Sequence, residues 1–155
     1  MQVTNFTQLI DWTRQLHQHL ASALAQGGEQ QQNKRTQLLL EALAEQEQRL
    51  SHTIKTFERT NDTEALDAYI PYLYSAFEQR PIDTQRIYAQ SYSELSTAEI
   101  SEVIFDVHDQ VIDLYQQLVN ESQVPEAQDI LKSFLELEQD AVKELANKFE
   151  GMDDR

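Results

Sequence analysis

There is no cysteine in this sequence, which rules out a disulfide framework, a thiolate nucleophile and a thiolate-bound metal. Glycine and proline number only three each, too few to punctuate the short strands of an all-β or alternating α/β chain. Basic residues are scarce as well: 12 Lys+Arg stand against 27 Asp+Glu, a formal charge of −15. A surface of that sign repels phosphate backbones and anionic lipid, so neither nucleic acid nor a membrane is an expected partner. Long apolar runs are also missing. No stretch approaches the ~18 consecutive apolar residues of a membrane span, and the first residues lack the basic-then-apolar pattern of a leader. The expected location is therefore cytoplasmic. No phosphate-binding glycine loop, nucleophile motif or triad spacing is present, and the reading leans away from an enzyme.

What is abundant is Leu, Ala, Gln and Glu, the residues of long helices. The 155 residues suffice for one domain with a real core. Apolar residues recur at three and four positions, the period of a helix with one buried face. Phe6, Leu9, Ile10, Leu16, Leu20 and Leu24 predict a first helix over 5–26, ended by Gly27-Gly28. Leu39, Leu43, Leu50, Ile54 and Phe57 predict a second over 36–57, closed by the polar run 59–63. Ser96-Thr97-Ala98-Glu99 is a capping box opening a third, whose stripe runs from Ile100 through Val107 and Val111 to Leu118. Pro125 suits the first turn of a fourth, carrying Leu131, Phe134, Val142, Leu145 and Phe149 and ending at Gly151. The expected fold is all-α: an antiparallel four-helix bundle of two hairpins, 5–58 and 96–150, with a long connection over 59–95 and a frayed tail over 151–155.

The two hairpins match each other. Shifting the first half by 91 positions carries Leu9 onto Ile100, Leu20 onto Val111, Leu43 onto Phe134 and Ile54 onto Leu145. The same shift carries His17 onto His108 and Glu47 onto Glu138 without a gap. A duplicated hairpin would show this agreement of core and interior polar positions.

Those four polar residues sit on the apolar stripes rather than opposite them. His17 lies among Thr13, Leu16 and Leu20, and Glu47 among Leu43, Leu50 and Ile54. His108 lies among Ile104, Val107 and Val111, and Glu138 among Phe134, Leu135 and Val142. Antiparallel hairpins would bring His17 level with Glu47 and His108 level with Glu138. An unpaired carboxylate in a bundle core costs several kcal/mol, so partners are required. Two solutions exist. Two imidazoles and two carboxylates suit one Zn, Fe or Mn ion, and direct His–Glu hydrogen bonding would form a metal-free polar layer. His19, His52, Glu41, Glu45 and Glu136 fall on polar faces and read as solvated.

Two hairpins, the long connection between the second and third helices and the interior Glu residues resemble the ferritin-like superfamily, its rubrerythrin-like branch. The similarity is greatest over 104–150, with Tyr115, Glu138 and Leu145-Ala146. The resemblance implies an inward Glu on the first helix of each hairpin and Glu-x-x-His on the second, together holding two irons. Glu47 and Glu138 match the Glu of that motif; Leu50 and Ala141 stand where it has His, and His17 and His108 stand at the first-helix positions. The implied six ligands become four. A site holding one transition metal, a metal-free interaction or scaffold protein, and a residual iron-dependent oxidoreductase are the three readings this leaves.

The connection holds Tyr69, Tyr72, Tyr74, Tyr88 and Tyr92. Three readings stand for them: covering one edge of the bundle, which comes first, a partner contact such as self-association as a dimer, since aromatic residues are enriched at interfaces, and the lining of a small-molecule pocket. A short helix over 64–79, interrupted at Pro71, is the expectation there.

Overall fold

In a computed structural model, residues 3–61, 63–68, 70, 73, 76, 82, 84, 87 and 90–153 are described, the last three through their backbone alone. Helix α1 spans Phe6–Gln30, α2 Lys34–Thr60, the short α3 Glu64–Asp67, α4 Thr97–Glu121 and α5 Pro125–Asp153, with a 3-10 turn at Tyr92–Glu94 before α4. Among the described residues there is no strand, and no helix is long and apolar enough to cross a membrane.

The helix starts follow from local chemistry. Four N–H groups at a helix N-terminus lack partners within the helix, and a short polar side chain at the cap satisfies one of them. The Asn5 side chain accepts from the Gln8 backbone N–H at 2.8 Å, and Asn33 accepts from that of Thr36 at 3.0 Å. At α4 both halves of the capping box form: the Glu99 N–H donates to Ser96 Oγ at 3.2 Å, and the Ser96 N–H donates to Glu99 Oε1 at 3.0 Å. Pro125 opens α5, where its missing N–H costs nothing. One continuous core unites the apolar stripes of the four long helices with Leu66, Leu73, Ala76, Ile87 and Tyr92 from the connection.

The repeat seen in the sequence extends to the element bounds. At the same 91-residue offset Phe6 and Gln30 fall on Thr97 and Glu121, and Lys34 falls on Pro125.

Three boundaries differ from expectation. Gly27-Gly28 does not end α1, which runs on to Gln30 with neither glycine at positive φ. The pair answers packing instead: a Cβ on Gly27 would stand 2.6 Å from Tyr92 Cβ, so the missing side chain lets the 3-10 turn lie against α1. Similarly, Gly151 does not stop α5, whose helix continues to Asp153. The short helix of the connection breaks at Asp67, ahead of the interruption expected at Pro71, which lies outside the described residues; Leu73 and Ala76 beyond it are helical again.

The connection touches α1 at both its ends. Near the start of α1 the Ile70 N–H donates to Thr4 O at 2.8 Å, and Thr7 Oγ1 donates to Asp67 Oδ1 at 2.6 Å. Near its end Gln31 Nε2 donates to the carbonyls of Tyr92 and Leu95, each at 3.4 Å. A helix of 25 residues is ~37 Å long at ~1.5 Å per residue, so the connection returns the chain across the length of the bundle before α4 begins.

Candidate metal centre

Each long helix contributes one polar side chain to the same interior level: His17 from α1, Glu47 from α2, His108 from α4 and Glu138 from α5. His17, His108 and Glu138 are fully buried and Glu47 is 1% exposed. They form a ring in which histidine and glutamate alternate. His17 Nδ1 lies 2.7 Å from Glu47 Oε2 and His17 Nε2 2.7 Å from Glu138 Oε1. His108 Nε2 lies 2.6 Å from Glu47 Oε1. The fourth side is open: His108 Nδ1 and Glu138 Oε2 are 3.5 Å apart, and neither atom has a hydrogen bond. The imidazole rings tilt toward each other with centroids 5.0 Å apart.

The pairing is not confined within each half of the chain. His17 meets Glu47 as its spacing implies, but it also meets Glu138 of the second half, and the close partner of His108 is Glu47 of the first. Helical period fixes the level of a side chain, whereas the turn of each imidazole about its own bonds decides which nitrogen meets which carboxylate.

The electrostatics follow from the alternation. Burial alone would depress both histidines. The carboxylates around His17, Glu138 before Glu47, outweigh that and hold it up at about 10. The Glu47 charge, with the Glu138 carboxylate facing the ring at 3.5 Å, does the same for His108, up to about 9 against some repulsion from His17. Burial would raise the two glutamates, and the facing imidazolium charges hold each down to about 2. At neutral pH the metal-free ring is thus two imidazoliums and two carboxylates, with no net charge. That state suits the geometry, since a carboxylate can only accept and every ring nitrogen on a closed side must donate.

No family model matches the chain, and no characterised protein or solved structure does either. The donor set must therefore be judged on its own chemistry. One donor atom from each of His17, His108 and Glu138 lies within 4.8 Å of the other two, a grouping that could hold a metal ion. The two glutamates are not equivalent in this respect. Both Glu47 contacts are short, charge-assisted hydrogen bonds of 2.6–2.7 Å. Glu138 has one short contact and one at 3.5 Å. Donors around a tetrahedral ion at ~2.1 Å stand ~3.4 Å apart, so only the Glu138 side has begun to take that spacing. Leu50 and Ala141, about one turn beyond Glu47 and Glu138, carry no donor for a second ion.

A second polar contact lies one turn away. Thr13 Oγ1 donates to Leu9 O at 2.9 Å, so the Tyr115 hydroxyl, 2.8 Å from Thr13 Oγ1, is the donor of that pair. Burial holds the Tyr115 phenol well above its usual value, and the Glu138 charge adds to the effect. Tyr115 also stacks on Phe134 with centroids 4.4 Å apart, so the site is walled by aromatic packing on that side.

His19, His52, Glu41, Glu45 and Glu136 are exposed, as their polar faces predict. Of the five tyrosines proposed for a partner contact, Tyr92 is 2% exposed and packs into the chain's own core over Gly27, so it is not presented to a partner. Tyr69, Tyr72, Tyr74 and Tyr88 lie outside the described residues. Buried polar residues also stand where the sequence reading named none: Thr36, Ser51 and Gln46. Gln46, 4% exposed, donates from Nε2 to Ala141 O at 3.1 Å, while its Oε1 has no hydrogen bond. Its signal was the gap in the α2 stripe: position 46 continues the 39, 43, 50 spacing.

Proposed function

We propose that this protein binds one transition-metal ion inside the bundle, through His17 Nε2, His108 Nδ1 and a Glu138 oxygen. Glu47 is then a positioning residue, accepting the remaining N–H of each imidazole and fixing both rings. The observation that carries the reading is the unequal geometry of the two glutamates, closed around Glu47 and open at Glu138. A carboxylate behind a metal-bound histidine is a common way of orienting the ligand and raising its basicity, and here one carboxylate would serve two histidines. Three protein donors leave a fourth position on the ion, and Zn, Fe or Mn would each accept two imidazoles and a carboxylate.

The arrangement proposed around the site is the ferritin-like one, two antiparallel hairpins joined by a crossover. It is supported by the recurrence of helix bounds at 91 residues and by a connection that meets α1 at opposite ends. A metal-free polar layer, belonging to a scaffold or interaction protein, is the second reading. Its support is that three sides of the ring already hold short hydrogen bonds and that the charges balance without an ion.

The test is titration of chelator-treated protein with Zn²⁺, Mn²⁺ and Fe²⁺, followed by calorimetry, elemental analysis and thermal melting. The metal reading expects one ion per chain and a higher melting temperature, since a ligand held only by the native state adds about 2.7 kcal/mol at a hundred times its Kd. His17→Ala/His108→Ala should abolish binding. Glu47→Gln should weaken it by about 10–100-fold, the usual loss for an orienting carboxylate, and Glu138→Gln by more. Melting unmoved by all three ions would leave the polar-layer reading.

A further inference from the structure

A site buried to this degree needs a route for its ion, and the described surface has a hollow beside it. A groove of about 380 Å³ runs along the seam between α2 and α5. A second hollow of about 360 Å³ shares Thr53 and Leu137 with it and prolongs the seam. The lining residues pair under the 91-residue repeat: Gln46 with Leu137, Arg49 with Asp140, Leu50 with Ala141 and Thr53 with Glu144. The groove therefore follows the line relating the two hairpins. Glu47 and Glu138 are the chain neighbours of Gln46 and Leu137, so the same turns of α2 and α5 carry both the groove lining and the two carboxylates of the ring.

Three features of this groove suit a cation. Asp140 and Glu144 are exposed in the lining with Arg49, so the lining itself carries one negative charge, while Lys143, outside it, stands 3.9 Å from Asp140. Gln46 is buried in its wall with an amide oxygen that no hydrogen bond satisfies. A buried carbonyl without a donor is unfavourable, and a passing cation would meet that need. Finally, Ala141 contributes nothing larger than a Cβ to the lining. Other hollows do not compare: one opens among the helix ends around Asn33 and Ser96, another lies beside Trp12, and neither is lined by a neighbour of a ring residue.

We propose that the α2–α5 groove is the port through which a divalent cation reaches the buried ring, with Gln46 Oε1 as its first inner ligand and Asp140 and Glu144 as the charges that gather it. The ion would pass from the rim carboxylates to Gln46 and then to Glu138. This rests on the metal reading above.

Stopped-flow mixing of the chelator-treated full chain with Co²⁺, followed by its visible absorption, tests the route. Gln46→Leu removes the carbonyl without adding bulk, and Ala141→Leu thickens the wall. Each should slow uptake and release together, Ala141→Leu by about tenfold, while the equilibrium Kd stays within about threefold, because a barrier acts on both rates. Asp140→Asn/Glu144→Gln changes only exposed groups and should lower the uptake rate several-fold at low salt, an effect that fades as salt is added. Wild-type protein that takes up Co²⁺ at a rate matched by all three variants would overturn the port and leave the metal site standing. Wild-type protein that takes up no Co²⁺ would overturn both.

Discussion

At the scale of single residues, the interior of this chain is decided by four side chains that would each be unfavourable alone. An imidazolium or a carboxylate taken out of water costs several kcal/mol, and only the ring of opposite charges offsets it. Removing one member should therefore be worse than removing all. Glu47→Leu leaves two imidazoliums facing one carboxylate and should cost about 3–5 kcal/mol in urea unfolding of the metal-free protein. Replacing His17, Glu47, His108 and Glu138 together by Leu should leave stability unchanged or raised by about 1–4 kcal/mol. A neutral Glu47→Leu would show that the ring holds no charge. The membership of this ring was legible in the sequence, because polar residues on an apolar stripe have nowhere to go but inward. Its wiring was not legible: spacing implied His108 level with Glu138, whereas its short contact is with Glu47. Gln46 could have been found from its place on the stripe, but a neutral amide gives a weaker signal than a charge.

At the scale of elements, helix α4 begins where its capping box predicts, since a cap is a chemistry of four consecutive residues, and α5 begins at Pro125, the residue that suits a first turn. The end of α1 was misread because glycine has two uses that a sequence does not distinguish. One is the left-handed turn that ends a helix, and the other is the absence of a side chain where another segment comes close. The segment that decides between them here is Tyr92, at the far end of the connection, and no local pattern announces it. The two glycines now give a paired test. Gly27→Ala puts a Cβ 2.6 Å from Tyr92 Cβ, which cannot swing aside, and should destabilise by about 1–3 kcal/mol. Gly28→Ala meets Glu41 Cγ at 3.4 Å and Leu40 Cβ at 3.6 Å, ordinary contact distances, so the better helix propensity of alanine should prevail and stabilise by up to ~1 kcal/mol. Chemical denaturation of the two variants should move the midpoint in opposite directions; two losses of equal size would place both glycines in the same role.

For the whole molecule, the ring gives stability a defined dependence on pH. The histidines are raised from 6.5 to about 10 and about 9, so the folded state holds their protons more tightly than the unfolded chain. Their contribution is complete below pH 6.5 and is lost as pH climbs through 9 and 10. The glutamates are lowered from 4.5 to about 2, so theirs is complete above pH 4.5 and is lost as pH falls toward 2. The metal-free protein should melt highest between those limits, near pH 4.5–6.5. Self-repulsion of the −15 surface, which relaxes toward the sequence pI of about 4.5, works in the same direction on the alkaline side. Melting scans from pH 3 to pH 10, with and without the fourfold Leu replacement, separate the two effects, because only the surface term survives the replacement. An unchanged profile would assign the dependence to the surface alone.

Leucine facing leucine is nearly indifferent to a shift of one helical turn, ~5.4 Å, so an apolar seam by itself lets two long hairpins settle at more than one depth. Because the bonds His17–Glu138 and His108–Glu47 run between the halves of the chain, such a slip would strand four charges among hydrocarbon at once. The ring acts as a detent: with or without an ion, it leaves the two halves of the chain a single position in which to lock.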